Sequence, residues 1–201
     1  MPSDKLRHQW PGLVLEPYET HATEYKRSAP WDDLKYRIVK TALGMANLRD
    51  GGQIVIGVES DEADRLVATG MNVSHVETYR IDGILEFIDS FAQSRVRARA
   101  EIIGFEDKNF FVIEIEPFSS VPVIARKGTR LSDGTNIREG AIYCRPAGGK
   151  PRTVEASAED LQEIIQHAVD LELRRYLERA RRAGAALQAG DDPYERERGD
   201  L

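Results

Sequence analysis

The chain has 201 residues, of which 41% are hydrophobic and 31% are charged, as is typical of one globular domain with an appendage. No apolar run approaches the roughly 20 residues of a membrane span, and the first residues lack the apolar region of a signal peptide. The single cysteine excludes an internal disulfide and is typical of the reducing cytoplasm, where we expect the protein to be, without membrane contact.

The first third of the chain predicts a strand and a helix that lead into a central strand. Residues 21–27 predict the first strand, and apolar residues at helical spacing predict a helix from Asp32 to Ala46. The segment Arg49-Asp50-Gly51-Gly52 then ends the helix, and the two glycines lead into a strand over residues 53–59. Isoleucines and valines occupy both faces of this strand, which is typical of a central position in a sheet.

The middle of the chain predicts more strands around a second long helix. Residues 65–69 predict a short strand, and residues 74–92 carry apolar side chains at helical spacing. Residues 96–105 alternate between apolar and polar, and a turn at 106–109 leads into another strand at 110–117. These two strands should form an antiparallel hairpin.

The last part of the chain predicts one more strand and a long terminal helix. Residues 141–145 form the strand, and Ser157-x-x-Asp160 resembles a capping box that begins the helix. The predicted fold class is therefore α+β, a central mixed sheet flanked by helices with a long C-terminal helix. The chain divides into an irregular arm (1–13), a domain (14–170), a helical extension (171–189) and a disordered tail (190–201).

A short stretch, Glu19-x4-Glu24-Tyr-Lys26, carries the residues most typical of phosphodiester chemistry. Positions i and i+2 of a strand lie on the same face, so Glu24 and Lys26 should project together. A carboxylate can hold a hard divalent cation, and a nearby ammonium can neutralise a phosphate. The same pattern occurs on ordinary solvated strand faces, so the spacing alone leaves both interpretations open.

Basic residues concentrate in one segment of an acidic chain, whose net charge of −6 does not by itself indicate a nucleic-acid binder. A local excess can still attract phosphates, because charges beyond about 10 Å are screened at ordinary salt. A solubilising polar loop is the alternative. Residues 121–153 hold two acidic residues against seven basic ones: Arg126, Lys127, Arg130, Arg138, Arg145, Lys150 and Arg152.

Three landmarks follow one another in a recognisable order. They are Glu19-x4-Glu24-Tyr-Lys26, a helix that ends at Ala46-Asn47, and Gly51-Gly52-x-Ile-Val-Ile-Gly57-Val58. Together they resemble the Schlafen-type AlbA-like domain, and the similarity extends over residues 14–168. That family is described as nucleic-acid-binding, so the resemblance implies a nucleic-acid partner, with RNA favoured and DNA possible.

For the Schlafen members that act as endoribonucleases, the resemblance implies three carboxylates that coordinate Mg²⁺ or Mn²⁺. Glu19 and Glu24 match two of them. Ser60 occupies the usual third acidic position, so Asp61 or Glu59 would supply the missing ligand. Three acids in one pocket repel each other, and Glu24→Gln would remove one of the charges. The metal-free variant would therefore be at least as stable as the metal-free wild type.

If the chain binds nucleic acid, its basic and aromatic side chains predict which residues would contact it. Lys26 would stabilise negative charge on phosphorus during cleavage. Tyr143, two residues before Arg145 on the last strand, could stack on a base or fill the core. The predicted backbone contacts are Arg27, Arg126, Lys127, Arg130, Arg145, Lys150 and Arg152.

Three functions stay open from the sequence. The first is a metal-dependent endoribonuclease that acts on structured RNA such as tRNA, and the second is a non-catalytic DNA- or RNA-binding module. The third is a protein that forms homo-oligomers through its terminal helix, whose extension carries Leu171, Leu173, Tyr176, Leu177 and Ala180. Metal-dependent cleavage separates the first from the second, and concentration-dependent size without nucleic-acid affinity marks the third.

Overall fold

The computed structural model describes residues 12–131, 134–148 and 151–183. The strands are β1 (Thr23–Lys26), β2 (Gly52–Ile56), β3 (Val58–Ser60), β4 (Leu66–Ala68), β5 (Ala98–Phe105), β6 (Lys108–Ile115), β7 (Thr129–Arg130), β8 (Asn136–Ile137), β9 (Tyr143–Cys144) and β10 (Val154–Glu155). The helices described from residue 31 onward are α1 (Trp31–Ala46), α2 (Val73–Val76), α3 (Ile81–Asp89) and α4 (Ala158–Arg182).

A mixed sheet of four strands in the order β1-β2-β6-β5 forms the centre of the fold. β1 runs parallel to β2, and the other two pairings are antiparallel. Ile54 and Ile56 of β2 are completely buried, as expected for apolar side chains on a central strand. The predicted fold class, the central position of β2 and the β5–β6 hairpin are confirmed.

The predicted strand over residues 53–59 is interrupted at Gly57, which has a φ of +110°. A Cβ atom at this position would lie 2.9 Å from Cδ1 of Phe110 and 3.0 Å from the carbonyl carbon of Gly70. The backbone therefore needs glycine here, both for its conformation and for its close neighbours. Beyond the break the chain leaves the main sheet, and β3 pairs with β4 instead.

The predicted helix over residues 74–92 is two helices, α2 and α3, separated by four residues. The hydroxyl of Thr78 donates to the carbonyl of His75, which competes with continuation of the helix. Tyr79 turns inward, where its hydroxyl donates to the carbonyl of Ala29 and its ring lies 4.7 Å from that of Phe111. The interruption thus places a large aromatic side chain in the core.

The two faces of the main sheet are covered differently. Helices α1 and α3 pack on one face and form the larger hydrophobic core with it. On the other face Tyr25, Val55, Phe110 and Val112 form a smaller cluster with Val14. Neighbouring residues of β1 consequently point into different environments, Tyr25 into the small cluster and Glu24 toward the helices.

Helix α4 begins with the predicted capping box, which is confirmed. The Ser157 hydroxyl accepts from the N–H of Asp160 at 3.2 Å, and the Asp160 carboxylate accepts from the N–H of Ser157 at 2.8 Å. Ile164 and His167 are buried against the domain.

No helix of the described ranges is long and apolar enough to cross a membrane. Most of the predicted arm (1–13), the tail (190–201) and the end of the extension (184–189) lie outside those ranges.

Candidate functional site

Glu24 and Lys26 project together from β1, as the alternation of the strand predicts. The Lys26 ammonium donates a hydrogen bond to Oε1 of Glu24. Glu24 is only 8% exposed, because its strand neighbour is the central β2 and its face of the sheet is covered. A carboxylate at such a position needs charged or polar partners, since burying it alone is costly.

The second partner of Glu24 is Arg145, which follows β9 and is itself 2% exposed. Its Nη1 lies 2.8 Å from Oε2 of Glu24 and 3.2 Å from the hydroxyl of Thr153. Its Nε and Nη2 donate to the carbonyls of His21 and Thr20 at 2.6 and 3.1 Å. The structure therefore makes Arg145 a buried connection between β9 and the start of β1, rather than the surface phosphate contact that the sequence predicts.

Glu19 completes a charge cluster that we define as Glu19, Glu24, Lys26 and Arg145. Partial burial raises the pKa of Glu19, and the nearby negative charge of Glu24 raises it further. The N–H of Tyr25 and the charges of Lys26 and Arg145 oppose this rise in the pKa. The cluster holds two acids and two bases, and its charges are balanced within the protein.

The candidate third carboxylate, Asp61, serves a different part of the chain. Its Oδ1 accepts from the N–H groups of Ala63 and Arg65, both at 2.9 Å, and its Oδ2 lies 2.7 Å from Nη2 of Arg65. The hydrogen bonds from Arg65 hold the pKa of Asp61 below its usual range. Asp61 therefore stabilises the turn between β3 and β4.

Glu59 is exposed on β3, beyond the break at Gly57. In the sheet, Glu24 lies beside Ile54, five residues before Glu59 along the chain. Glu24 is near enough to affect the pKa of Glu19, but no third carboxylate joins them. Residues 12–131, 134–148 and 151–183 contain no group of three His, Cys, Asp or Glu side chains that could hold a metal.

The charge cluster, as arranged here, does not fit Mg²⁺ or Mn²⁺. These ions need several oxygen ligands in a nearly octahedral arrangement. Both oxygens of Glu24 already lie against cationic side chains: Oε1 accepts from Lys26, and Oε2 forms an ion pair with Arg145. A metal at this position would have to displace those cations and recruit ligands besides Glu19.

Three of the predicted nucleic-acid contacts, Arg126, Lys127 and Arg130, are exposed together around β7. The N–H of Arg126 donates to the carbonyl of Phe91 at 2.7 Å, and Nζ of Lys127 lies 4.4 Å from the centre of the Phe91 ring. None of the three forms an ion pair with an acidic residue in the described part of the chain. We call these three residues the basic loop.

The other residues predicted to contact nucleic acid differ in their exposure to solvent. Arg27 and Arg152 are exposed, and Lys150 lies outside the described residues. Tyr143 is 3% exposed, its hydroxyl accepts from the N–H of Arg138 at 2.8 Å, and the ring belongs to the main core. The structure therefore uses Tyr143 to fill the core, which leaves no ring face on which a base could stack.

A cleft of about 480 Å³ lies beside Arg145, between the start of β1, the end of α1, β9 and α4. The Cys144 thiol lines it, and burial raises the pKa of this thiol to about 12, so it is a neutral side chain at physiological pH. Asn47 also lines the cleft, and its amide donates to the carbonyls of Val123 and Tyr143, both at 2.9 Å. This connecting role is not predictable from the sequence, since Asn47 has no local signal beyond its place at the helix end.

The family described as Schlafen, AlbA_2 matches residues 19–151, well over half of the chain. The chain belongs to this family. The match confirms the resemblance inferred from the sequence, and it includes the charge cluster and the basic loop. Helix α4 lies beyond it.

Two solved structures are similar to this chain. The first is the crystal structure of the DIP2311 protein from Corynebacterium diphtheriae, with a TM-score of 0.50 and 13% identity over 79% of this chain and 28% of that one. The second is the solution structure of the N-terminal domain of a protein from Nitrosomonas europaea described as related to the ATP-dependent DNA helicase RecG. It has a TM-score of 0.41 and 16% identity over 75% of this chain and 88% of that one. No curated protein matches the sequence.

The chain spans only a little over a quarter of the Corynebacterium protein. At 13% identity the likeness supports the fold and nothing more specific.

Proposed function

We propose that this Schlafen-family chain binds nucleic acid by its phosphate backbone, through the basic loop. One observation carries the proposal: Arg126, Lys127 and Arg130 are exposed without an acidic partner in the described residues of an acidic protein. The family's description as nucleic-acid-binding supports it. Phosphates attract such a patch because binding releases condensed counterions from the nucleic acid.

Contacts with the hydrophobic core hold the backbone of the basic loop in place. The backbone of Arg126 is held by the carbonyl of Phe91, and the ammonium of Lys127 lies over the ring of the same phenylalanine. The neighbouring Ala125 donates its N–H to the carbonyl of Ala141. A cation on a supported backbone loses less conformational entropy when it binds a phosphate than one on a mobile loop. The net charge of the protein matters little here, because salt screens distant charges.

The charge cluster has a structural role in this proposal. Arg145 ties β9 to the start of β1 through Glu24 and two backbone carbonyls, and Lys26 satisfies the remaining oxygen of Glu24. Arg27 lies next to the cluster in sequence and is exposed, so it adds a cation at the surface there. The cluster thereby fixes the scaffold and leaves the contacts with nucleic acid to the exposed cations.

Metal-dependent cleavage of structured RNA is the second candidate function. The observation that favours it is that the negative charge of Glu24 raises the pKa of the Glu19 carboxyl. Two neighbouring carboxylates are the start of a site for Mg²⁺ or Mn²⁺. The activity would require Glu24 to exchange Arg145 and Lys26 for the ion, so it predicts a conformational change that simple binding does not need.

One set of titrations separates the two candidates. Labelled RNA hairpin, single-stranded RNA and duplex DNA are titrated with the protein over a range of salt concentrations, with Mg²⁺, with Mn²⁺ and with a chelator. The proposal predicts metal-independent binding that weakens steadily with salt, and the relative affinities decide between RNA and DNA. Gel analysis of the same samples detects cleavage. Metal-dependent products that Glu24→Gln abolishes, while the variant stays folded and still binds the probes, would establish the second candidate. No binding to any probe at low salt would contradict both.

A further inference from the structure

Helix α4 carries an exposed apolar stripe of Ile165, Val169, Leu173 and Tyr176. Each of these side chains is between 53% and 60% exposed. Their spacings of four, four and three residues place them on one face of a helix with 3.6 residues per turn. The opposite face packs on the domain through the buried Ile164 and His167. The helix is therefore apolar on both sides, and only one side is covered by residues of the described ranges.

The charges of α4 are separated along its length. The first part of the helix, residues 158–173, contains five acidic residues and no lysine or arginine. The second part, residues 174–182, contains five arginines and one glutamate. The acidic residues of the first part are Glu159, Asp160, Glu163, Asp170 and Glu172, and the arginines are Arg174, Arg175, Arg179, Arg181 and Arg182.

The helix dipole accounts for only part of this distribution. Its influence fades beyond the first and last turns, where it favours acids and bases respectively. Asp170, Glu172, Arg174 and Arg175 lie in the middle of α4, so the dipole does not explain why the sign changes there. Asp170 already pairs with Arg49, and Glu172 with Arg175 and Arg179, so the middle of α4 is partly neutralised within the chain. A partner that is basic beside the first turns of α4 and acidic beside its last turns would be attracted to the two ends.

We propose that a second copy of this chain covers the stripe, with the two α4 helices packed antiparallel about a two-fold axis. In this arrangement residues 159–167 of each helix, which hold three of its acids, lie against the arginine-rich residues 174–182 of the other, and residues 168–173 lie against their own counterparts at the axis. The pairs Ile165–Tyr176 and Val169–Leu173 have nearly the same midpoint along the helix. A two-fold axis through that point brings Ile165 of one copy to Tyr176 of the other and Val169 to Leu173, which makes the stripe complementary to itself.

The charge pattern selects this orientation and predicts a modest affinity. A parallel pair would place acid beside acid and base beside base, which disfavours association. The stripe spans about 17 Å at 1.5 Å per residue, so it is short for a permanent dimer interface. The dimer should therefore form and dissociate with concentration, and salt should weaken it. It would double the number of basic loops without being required for the proposed binding by one loop.

The test is sedimentation equilibrium of the full chain over a series of concentrations and salt levels. The stripe variant carries Val169→Glu and Leu173→Glu, two exposed positions where the domain itself should tolerate a carboxylate. The matched control carries Val73→Glu and Val121→Glu, which are 73% and 56% exposed and lie outside α4. We expect the wild type and the control to dimerise alike and the stripe variant to be weakened by roughly tenfold or more. Circular dichroism checks that all three remain folded.

Several results would overturn the proposal. One is a wild type that stays monomeric at every concentration, as it would be if residues 1–11 or 184–201 covered the stripe. Another is a dimer that the stripe variant leaves unchanged. A dimer that becomes stronger with salt would contradict the antiparallel pairing of charges. None of these outcomes bears on the basic loop, so the dimer and the nucleic-acid proposal fail or stand independently.

Discussion

Replacing Arg145 by methionine tests the buried charge cluster most sharply. The change keeps a long apolar side chain but leaves Oε2 of Glu24 and the carbonyls of His21 and Thr20 without this donor. Removing one partner of a buried ion pair costs about 3–5 kcal/mol, and Lys26 remains to satisfy the other oxygen of Glu24. We therefore expect Arg145→Met to lower the free energy of unfolding by about 3 kcal/mol or more.

Urea denaturation followed by circular dichroism measures this loss. The matched control is Arg138→Met, which removes an exposed arginine that pairs with Glu155 at the surface and should leave the midpoint almost unchanged. Combining Glu24→Gln with Arg145→Met should cost less than the sum of the single changes, by about 0.5–3 kcal/mol. A loss for Arg145→Met of less than about 1 kcal/mol, equal to that of the control, would refute the claim that this pair holds β9 to β1.

Two other substitutions test local features of the same fold. Because the folded-state pKa of Glu19 is raised, its ionised form weakens folding, so Glu19→Gln should raise the unfolding free energy at neutral pH. That gain should disappear as the pH falls below the ordinary glutamate pKa of 4.5; a gain that does not change with pH would contradict this cause. Ser157→Ala should lower the unfolding free energy by about 1 kcal/mol, because the N–H of Asp160 loses its capping acceptor. No loss in the same urea titration would mean that the start of α4 contributes little to stability.

Periodicity and capping signals in the sequence predicted much of the fold. The apolar alternation of residues 53–59 predicts a central strand because only a strand covered on both faces can bury so many large side chains. The capping box at Ser157 is likewise a local pattern, and the structure shows both of its hydrogen bonds. The break between α2 and α3 was not predictable in the same way. It depends on the side chain of Tyr79 reaching Ala29 and Phe111, and helical spacing contains no information on that contact.

The candidate site depends more strongly on contacts between distant parts of the chain. Glu24 lies on β1 and Arg145 follows β9, far along the chain, and nothing local to either residue predicts that they form an ion pair. The contact reverses one expectation: repulsion among acids predicts that Glu24→Gln is neutral or stabilising, whereas loss of a buried ion pair predicts destabilisation. The role of Asp61 also differs from the predicted metal ligand. An acidic residue at a turn often accepts hydrogen bonds from nearby backbone N–H groups, as Asp61 does from Ala63 and Arg65.

The most direct measurement of the central claim is the salt dependence of nucleic-acid affinity for a variant without the basic loop. This variant carries Arg126→Ala, Lys127→Ala and Arg130→Ala, and its control replaces three other exposed arginines, Arg95, Arg97 and Arg99, by alanine. If the basic loop holds three phosphates of a single strand, the slope of log affinity against log salt should become shallower by about 2 in the loop variant. The control should keep the wild-type slope. Equal slopes for the wild type and the loop variant would contradict the proposal that this loop binds the phosphate backbone.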